Sequence, residues 1–178
     1  NTTIEKKWDS SVEEIKNANN SNTKMITLNE PNNPIWNILP EKLLEDIINL
    51  SNENDLYVLS DEIYSQSAKT NWKSILSYNY EKSIVTQSFS KSHAMTGFRV
   101  GYAITSKKII EKMVKLEALC LTNVSEPIQY VAMKALESDT SSNSKLIQNR
   151  LDMLTEKAKE LGLEFMIPDG AMYMFAKM

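Results

Sequence analysis

The chain has 178 residues, of which 42% are hydrophobic and 24% charged, and its formal net charge is −3. This length allows one substantial domain and part of a second. A weakly acidic chain lacks the concentrated basic surface that nucleic-acid binding requires, so we expect no nucleic-acid partner. No apolar run approaches the roughly 20 residues of a membrane-spanning helix, so we expect no membrane partner.

The cysteine content and the two ends of the chain carry further information. Cys120 is the single cysteine, and a lone cysteine favours a reducing compartment, so we expect a cytoplasmic protein. Its apolar helical surroundings predict a core residue rather than a nucleophile. The chain begins with Asn1 and stops at Met178 inside an alternating, strand-like pattern, which leads us to expect a fragment of a longer protein.

The first sixty residues alternate between predicted strands and helices. A polar start, residues 1–22, contains a weak amphipathic pattern over 9–17. A strand over 25–28 runs into a turn rich in Asn and Pro. Pro40 then opens a helix at its preferred first position, and four apolar side chains share one face of it: Leu43, Leu44, Ile47 and Ile48. The apolar run 56–59 is typical of a parallel strand that is covered on both faces.

The rest of the chain continues the alternation. Strands are predicted over 84–89 and 99–104, and helices over 106–121, 126–136 and 144–161. Gly162 is a typical residue just beyond a helix end. A strand, a Pro-Asp-Gly turn and a second strand are then predicted over 165–167, 168–170 and 172–175. Strands that alternate with helices favour an α/β fold with a largely parallel sheet.

Lys91 is the first candidate for chemistry. It follows a predicted buried strand, with Ser88 and Ser90 before it and Arg99 eight residues later. An amine can form a Schiff base with an aldehyde, while serine hydroxyls and an arginine can hold a phosphate. This combination suits pyridoxal 5'-phosphate (PLP). A lysine between two strands is more often only a solvated loop charge, so the hypothesis depends on agreement elsewhere in the chain.

Such agreement comes from the ends of the preceding strands. Asn33 follows the first strand of this region, and Asp61 and Tyr64 follow the second. In an α/β sheet, ligands collect at the carboxyl ends of the strands. Each residue alone is more commonly a cap, a turn or a packing residue. Their occurrence together with Lys91, in this order, is much harder to assign to chance.

These residues form motifs that resemble fold-type I PLP-dependent enzymes of the class I/II aminotransferase family. The resemblance covers roughly residues 23–178. It rests on five segments: Asn32-Asn33-Pro34, Asp61-Glu62-Ile63-Tyr64, Ser88-Phe89-Ser90-Lys91, Gly97-Phe98-Arg99-Val100-Gly101 and Pro168-Asp169-Gly170-Ala171-Met172-Tyr173.

The resemblance implies a role for each catalytic candidate. Lys91 would form the Schiff base with PLP and later move the Cα proton. Asp61 would pair with the protonated pyridine nitrogen and keep the ring able to accept electrons. Tyr64 and Asn33 would hydrogen-bond the phenolic oxygen of the cofactor.

The resemblance also implies a phosphate site and two close backbone approaches. Ser88, Ser90 and Arg99 would bind the phosphate, Arg99 through a bidentate fork. Gly97 and Gly101 would allow tight backbone contact. We expect no bound metal.

The implied architecture is a three-layer α/β/α PLP-dependent transferase large domain, present in part as residues 1–143. Residues 144–178 would be a linking helix and the start of a smaller α+β C-terminal domain. Family members are typically homodimers with active sites at the interface, so a homodimer is expected by resemblance.

The chain departs from the family pattern after Asn33, where Asn-Pro-Thr-Gly is replaced by Asn33-Pro34-Ile35-Trp36. Trp36 is either a substrate-side aromatic or a core residue. His93 is expected to pack near the site rather than to act as a base. Arg150 falls on the long linking helix, and the sequence gives it no role.

The function that the resemblance implies is transfer of an amino group between an α-amino acid and a 2-oxo acid. The same scaffold also supports β-lyase, cyclase and decarboxylase reactions, and a PLP-fold regulatory domain is a further alternative. The family's substrate-carboxylate arginine and its ring-stacking aromatic have no counterpart in this chain. We therefore expect the isolated 178-residue chain to be inactive.

Overall fold

A central α/β sheet organises the computed structural model, which describes residues 10–35, 37–69, 72–170 and 172–177. Within this part of the chain the sheet has four strands, β1 (Met25–Asn29), β2 (Tyr57–Asp61), β3 (Ser83–Ser88) and β4 (Gly101–Thr105), in that spatial order. The first three strands are parallel, and β4 runs antiparallel to β3. The predicted α/β fold with a largely parallel sheet is confirmed.

The register of the parallel strands aligns their carboxyl ends. Asn29 at the end of β1 pairs with Asp61 at the end of β2, and Asp61 pairs in turn with Thr86 of β3. Residues that follow these positions must therefore emerge along one edge of the sheet.

Six α-helices accompany the sheet in the described residues. They are α1 (Val12–Ala18), α2 (Glu41–Glu53), α3 (Phe89–Ser92), α4 (Lys107–Cys120), α5 (Glu126–Leu136) and α6 (Ser141–Glu160). The structure places Pro40 at the N-cap of α2, one residue before the predicted position. Helix α1 begins with a capping box between Ser11 and Glu14. The predicted start of α1 at residue 9 lies outside the described residues.

The main hydrophobic core lies between α2 and the parallel strands. Helix α2 buries the predicted face, and its Leu44, Ile47 and Ile48 pack with Leu28 of β1 and Val58 of β2. Burial of such side chains contributes roughly 1.5–3 kcal/mol each. This core fixes the strands whose ends carry the site.

Helix α6 begins at Ser141, three residues before the predicted start, and ends near Gly162, whose φ is +69°. A short antiparallel pair follows, β5 (Glu164–Phe165) and β6 (Ala176–Lys177). The strand predicted over 172–175 is displaced, because the pairing falls on 176–177 instead. The division into domains at residue 143 stays a prediction.

The prediction that Cys120 is a core residue is wrong, because its side chain is exposed at the end of α4. The helix contains no fully buried residue, and its Val114 is 55% exposed. The apolar spacing of α4 is real, but little of the described chain covers that face. No helix in the described residues combines the length and apolarity needed to cross a membrane.

Candidate active site

Asp61 lies at the carboxyl end of β2, between the ends of its two neighbours. Its Oδ1 accepts a hydrogen bond from the Thr86 hydroxyl at 3.1 Å. Its backbone oxygen accepts from the Glu30 N–H at 3.0 Å and from the Asn29 side-chain amide at 3.3 Å. The carboxylate is half-buried, and Oδ1 is oriented by a side chain from β3. It is therefore fixed in place at the edge where the sequence predicts a ligand.

The structure brings three predicted residues together beside Asp61. The Asn33 side-chain amide donates a hydrogen bond to the Tyr64 hydroxyl at 3.1 Å. The Lys91 ammonium nitrogen lies 5.8 Å from the centroid of the Tyr64 ring, within the range of a cation–π contact. Tyr64 is only 4% exposed and packs against Leu151 of α6. The Tyr64 hydroxyl is thus bonded by the loop of Asn33, and its ring lies near the Lys91 amine.

Helix α3 positions Lys91. Strand β3 ends at Ser88, one residue earlier than predicted, and the Ser88 hydroxyl caps α3 by accepting from the Ser90 N–H at 3.1 Å. Phe89 is 2% exposed and packs on Val100, which fixes the direction of this single turn. Lys91 therefore stands on a short helix at the end of the strand.

Arg99 is exposed, with a φ of +49°, and its Nη1 donates to the Thr96 carbonyl at 3.0 Å. Among the phosphate candidates, Ser88 and Ser90 are joined by their capping bond, and Arg99 lies on the turn before β4.

A Cβ added at Gly101 would lie 2.5 Å from the Gln87 carbonyl oxygen, so close approach requires glycine there. Among the described residues no atom lies within 4 Å of such a Cβ at Gly97, and the close backbone approach that the resemblance implies there stays a prediction.

A cleft of about 370 Å³ lies beside Lys91, and its walls include Ser90 and Thr96 together with Asn143 and Arg150 of α6. Arg150, which the sequence left without a role, thus shares a cleft with the candidate Schiff-base lysine. Asn143 and Arg150 are seven residues apart, and this spacing puts them on one face of a helix. From this spacing the sequence could have predicted that Asn143 and Arg150 share a helix face.

Two buried carboxyl groups near the site were missed from the sequence. Glu30 and Glu62 are each 1% exposed. Burial raises the pKa of Glu30 from 4.5 to about 7, against the hydrogen bond from the Leu39 N–H, which lowers it; the negative charges of Glu62 and Asp169 add to the increase. Burial also raises the pKa of Glu62, against hydrogen bonds from the Ser74 hydroxyl and the Ile75 N–H that lower it. Glu62 belongs to the Asp61–Tyr64 motif.

The remaining candidates have local roles. The His93 ring packs against Phe89 with 5.2 Å between centroids, and its Nδ1 lies 2.7 Å from the Ser92 hydroxyl oxygen. These contacts agree with the predicted packing role. Trp36 lies outside the described residues. No group of three or more His, Cys, Asp or Glu side chains suited to a metal occurs in the part of the chain that is described.

The geometry defines an α/β protein with a lysine, a carboxylate and a tyrosine at one sheet edge, and comparison with known proteins identifies its family. The profile of "Aminotransferase class I and II" matches residues 2–178. The chain therefore belongs to the class I and II aminotransferase family, and this membership implies PLP as the cofactor.

Individual relatives agree with this assignment. An aspartate aminotransferase of Thermotoga maritima is 34% identical over 99% of this chain and 48% of its own length. An asparagine–oxo-acid transaminase of Streptococcus mutans is 33% identical over 98% and 47%. The crystal structure of the Thermotoga maritima aspartate aminotransferase superposes with a TM-score of 0.96 at 33% identity, over 99% of this chain and 48% of that one. The chain spans about half the length of these relatives.

Proposed function

We propose that the full-length protein is a PLP-dependent aminotransferase that moves an amino group between an α-amino acid and a 2-oxo acid. The observation that carries the proposal is the Asn33–Tyr64–Lys91 arrangement next to Asp61, at the carboxyl edge of the parallel strands. The relatives are named for transamination, which supports this reaction over β-lyase, cyclase or decarboxylase chemistry and over a regulatory role.

The donor set fits PLP. Asp61 offers a fixed carboxylate for a protonated ring nitrogen, and the Tyr64 hydroxyl and Asn33 amide offer hydrogen bonds for the phenolic oxygen. Ser88, Ser90 and Arg99 offer hydroxyls and a cation for the phosphate. When bound, PLP supplies an electron sink for the electron pair left on the substrate Cα.

Lys91 would have two tasks in this reaction. Its amine would attach the cofactor covalently, and after release it would move a proton at the substrate Cα. The contact with the Tyr64 ring holds the lysine over the aromatic face and limits the directions in which its amine can point. A half-buried position also keeps bulk water from surrounding the amine fully.

The proposal includes the setting of the enzyme. By resemblance we infer a cytoplasmic homodimer with active sites at the subunit interface, acting on small amino and oxo acids. The relatives are named for aspartate, asparagine and aromatic amino acids, so their names do not assign one side chain to this protein.

The test uses the full-length protein with PLP and borohydride. We expect reduction to fix a PLP adduct on the peptide that contains Lys91, detected by mass spectrometry. Lys91→Ala should abolish the adduct, whereas Lys115→Ala, at an exposed position on α4, should leave it unchanged.

A second measurement separates transamination from other PLP reactions. Incubation with an amino acid and no oxo acid should yield pyridoxamine phosphate, and later addition of a 2-oxo acid should restore PLP. Absence of the Lys91 adduct in the wild type would overturn the proposal, and an adduct without pyridoxamine phosphate would favour another PLP reaction.

A further inference from the structure

The loop that carries Asn33 is closed at its far end by two carboxyl groups. Glu30 Oε1 accepts a hydrogen bond from the Leu39 N–H at 2.9 Å, which joins the two ends of the loop 30–39. Next to it, Asp169 Oδ2 accepts from the Ile38 N–H at 3.3 Å. Glu30 therefore connects the two ends of the loop, and Asp169 connects the loop to the turn 168–170.

Glu30 occupies an unusual environment for a carboxyl group. It is 1% exposed, and its Oε2 has no hydrogen-bond partner among the residues that the structure describes. Among the described residues, the charged groups that face it are Glu62, from the segment after β2, and Asp169, from the turn 168–170. Both are acidic. A buried carboxylate without a cation is strongly disfavoured, so the protonated form is the one that this site accommodates.

We propose that Glu30 is a positioning residue of the candidate active site, whose uncharged carboxyl closes the loop 30–39 and thereby holds the Asn33 amide on the Tyr64 hydroxyl. The role of Asn33 toward PLP rests on the proposed function above. The closure of the loop by Glu30 does not depend on it, and the two can therefore be tested separately.

The surroundings of Glu30 predict how the loop responds to a rise in pH. Loss of the Glu30 proton leaves a negative charge buried away from water, which is the main cost, and the negative charges of Glu62 and Asp169 add repulsion. The loop can relieve that repulsion by moving residue 30 outward, which breaks the bond to Leu39. Asn33, three residues from Glu30, would then lose its fixed position against Tyr64.

The first test measures the loop directly in the cofactor-free, full-length protein by backbone hydrogen exchange. Glu30→Ala removes the acceptor, and we expect the Ile38 and Leu39 amides to exchange about fivefold to tenfold faster, as for the loss of one net hydrogen bond. Glu30→Gln keeps an uncharged acceptor of the same shape and should retain protection. Glu111→Gln, at an exposed position on α4, is the control and should leave the exchange of residues 30–39 unchanged.

The pH dependence sharpens this test. Between pH 6 and 8 the wild-type Leu39 amide should lose protection beyond the intrinsic base-catalysed increase, whereas Glu30→Gln should follow the intrinsic increase alone. Unchanged exchange in Glu30→Ala, or an identical pH response in wild type and Glu30→Gln, would overturn the proposal.

The second test connects Glu30 with the cofactor through Asn33. In a fluorescence titration with PLP, Glu30→Ala and Asn33→Ala should each raise the Kd. The double variant should bind no more weakly than Asn33→Ala, because Glu30 acts only through that residue. Additive losses would overturn the positioning role. If the wild type binds no PLP, the proposed function fails, and the exchange measurement still decides whether Glu30 closes the loop.

Discussion

The Asn33 side-chain amide and the Tyr64 hydroxyl, 31 residues apart in sequence, are joined by a hydrogen bond of 3.1 Å. This bond links the loop after β1 to the turn after β2. Because the two strands are parallel and in register, their carboxyl ends lie side by side, and short extensions suffice to bring the two side chains together. The Lys91 amine, from the end of β3, completes the arrangement over the Tyr64 ring.

Removing the Tyr64 hydroxyl tests this relationship. Tyr64→Phe keeps the ring that packs on Leu151 but removes the acceptor for the Asn33 amide. We expect kcat/KM to fall by about fivefold or more, since one net hydrogen bond is worth about 1 kcal/mol. The free energy of unfolding should change by no more than about 1 kcal/mol.

Steady-state kinetics and urea denaturation of the full-length protein check this prediction. Tyr78→Phe is a matched control, because the Tyr78 hydroxyl bonds the Glu41 carbonyl at 3.4 Å, away from the site. Equal activity losses in the two variants would contradict a specific role for Tyr64.

The raised pKa of Glu30 predicts a pH dependence of stability. In the unfolded chain this carboxyl loses its proton near pH 4.5, whereas in the folded protein it keeps the proton until about pH 7. The folded state binds more protons in this window, so the free energy of unfolding should fall as the pH rises from about 4.5 to 7. The decrease is at most about 3.5 kcal/mol, because each pKa unit corresponds to about 1.4 kcal/mol.

Urea denaturation of the full-length protein at pH 5, 6, 7 and 8 measures this slope. Glu30→Gln cannot titrate at residue 30, so its slope should be shallower than that of the wild type. Glu111→Gln, at an exposed position on α4, should keep the wild-type slope. A slope in Glu30→Gln as steep as in the wild type would show that Glu30 does not titrate in this window.

Much of the candidate site followed from the sequence because it depends on local patterns. The apolar run before Asp61 and the β-branched run before Ser88 define strands, and a parallel sheet then brings their carboxyl ends to one edge. The face of α2 with Leu44 and Ile47 followed from helical spacing in the same way.

The features that could not be predicted depend on distant contacts. Glu30 lies in a polar turn, where a charged residue is ordinarily solvated, and its burial arises from segments far along the chain. Asp169 reaches the Ile38 N–H across 131 residues of sequence. Cys120 is the opposite case, because it was predicted to be buried and is exposed. Helical spacing identifies an apolar face, but it does not show whether another element covers that face.

Leu151 supports Tyr64 from α6, and its truncation should affect both stability and the site. The side chain is 4% exposed and forms a small core with Tyr64 and Ile63. Leu151→Ala should lower the free energy of unfolding by about 2–5 kcal/mol, as in other buried Leu→Ala substitutions. Leu154→Ala, at a 50% exposed position on the same helix, should cost less than about 1 kcal/mol.

The two variants also separate packing from function. Leu151→Ala should weaken PLP binding, because the Tyr64 ring gains freedom to move away from Lys91 and Asn33. Urea denaturation and a PLP titration of the full-length protein measure the two effects. Normal PLP affinity in a destabilised Leu151→Ala protein would mean that Tyr64 is held by its hydrogen bond rather than by packing.

Gly101 provides a test of the backbone that carries Lys91. A Cβ at this position would lie 2.5 Å from the Gln87 carbonyl oxygen, in the pairing of β3 with β4. Gly101→Ala must therefore displace one strand, and we expect a loss of about 1–3 kcal/mol in the free energy of unfolding, as for other overpacked sites. Gly97→Ala introduces the same methyl group where no atom of the described residues lies within 4 Å, and it should change stability by less than about 1 kcal/mol.

The same displacement should reach the site, because Gly101 pairs with Ser88, the residue that caps the helix of Lys91. We expect Gly101→Ala to weaken PLP binding in the full-length protein. Urea denaturation and fluorescence titration check both expectations. Equal stability in the two variants would show that the β3–β4 pair tolerates the added methyl group, and that the position of Ser88 does not depend on glycine at residue 101.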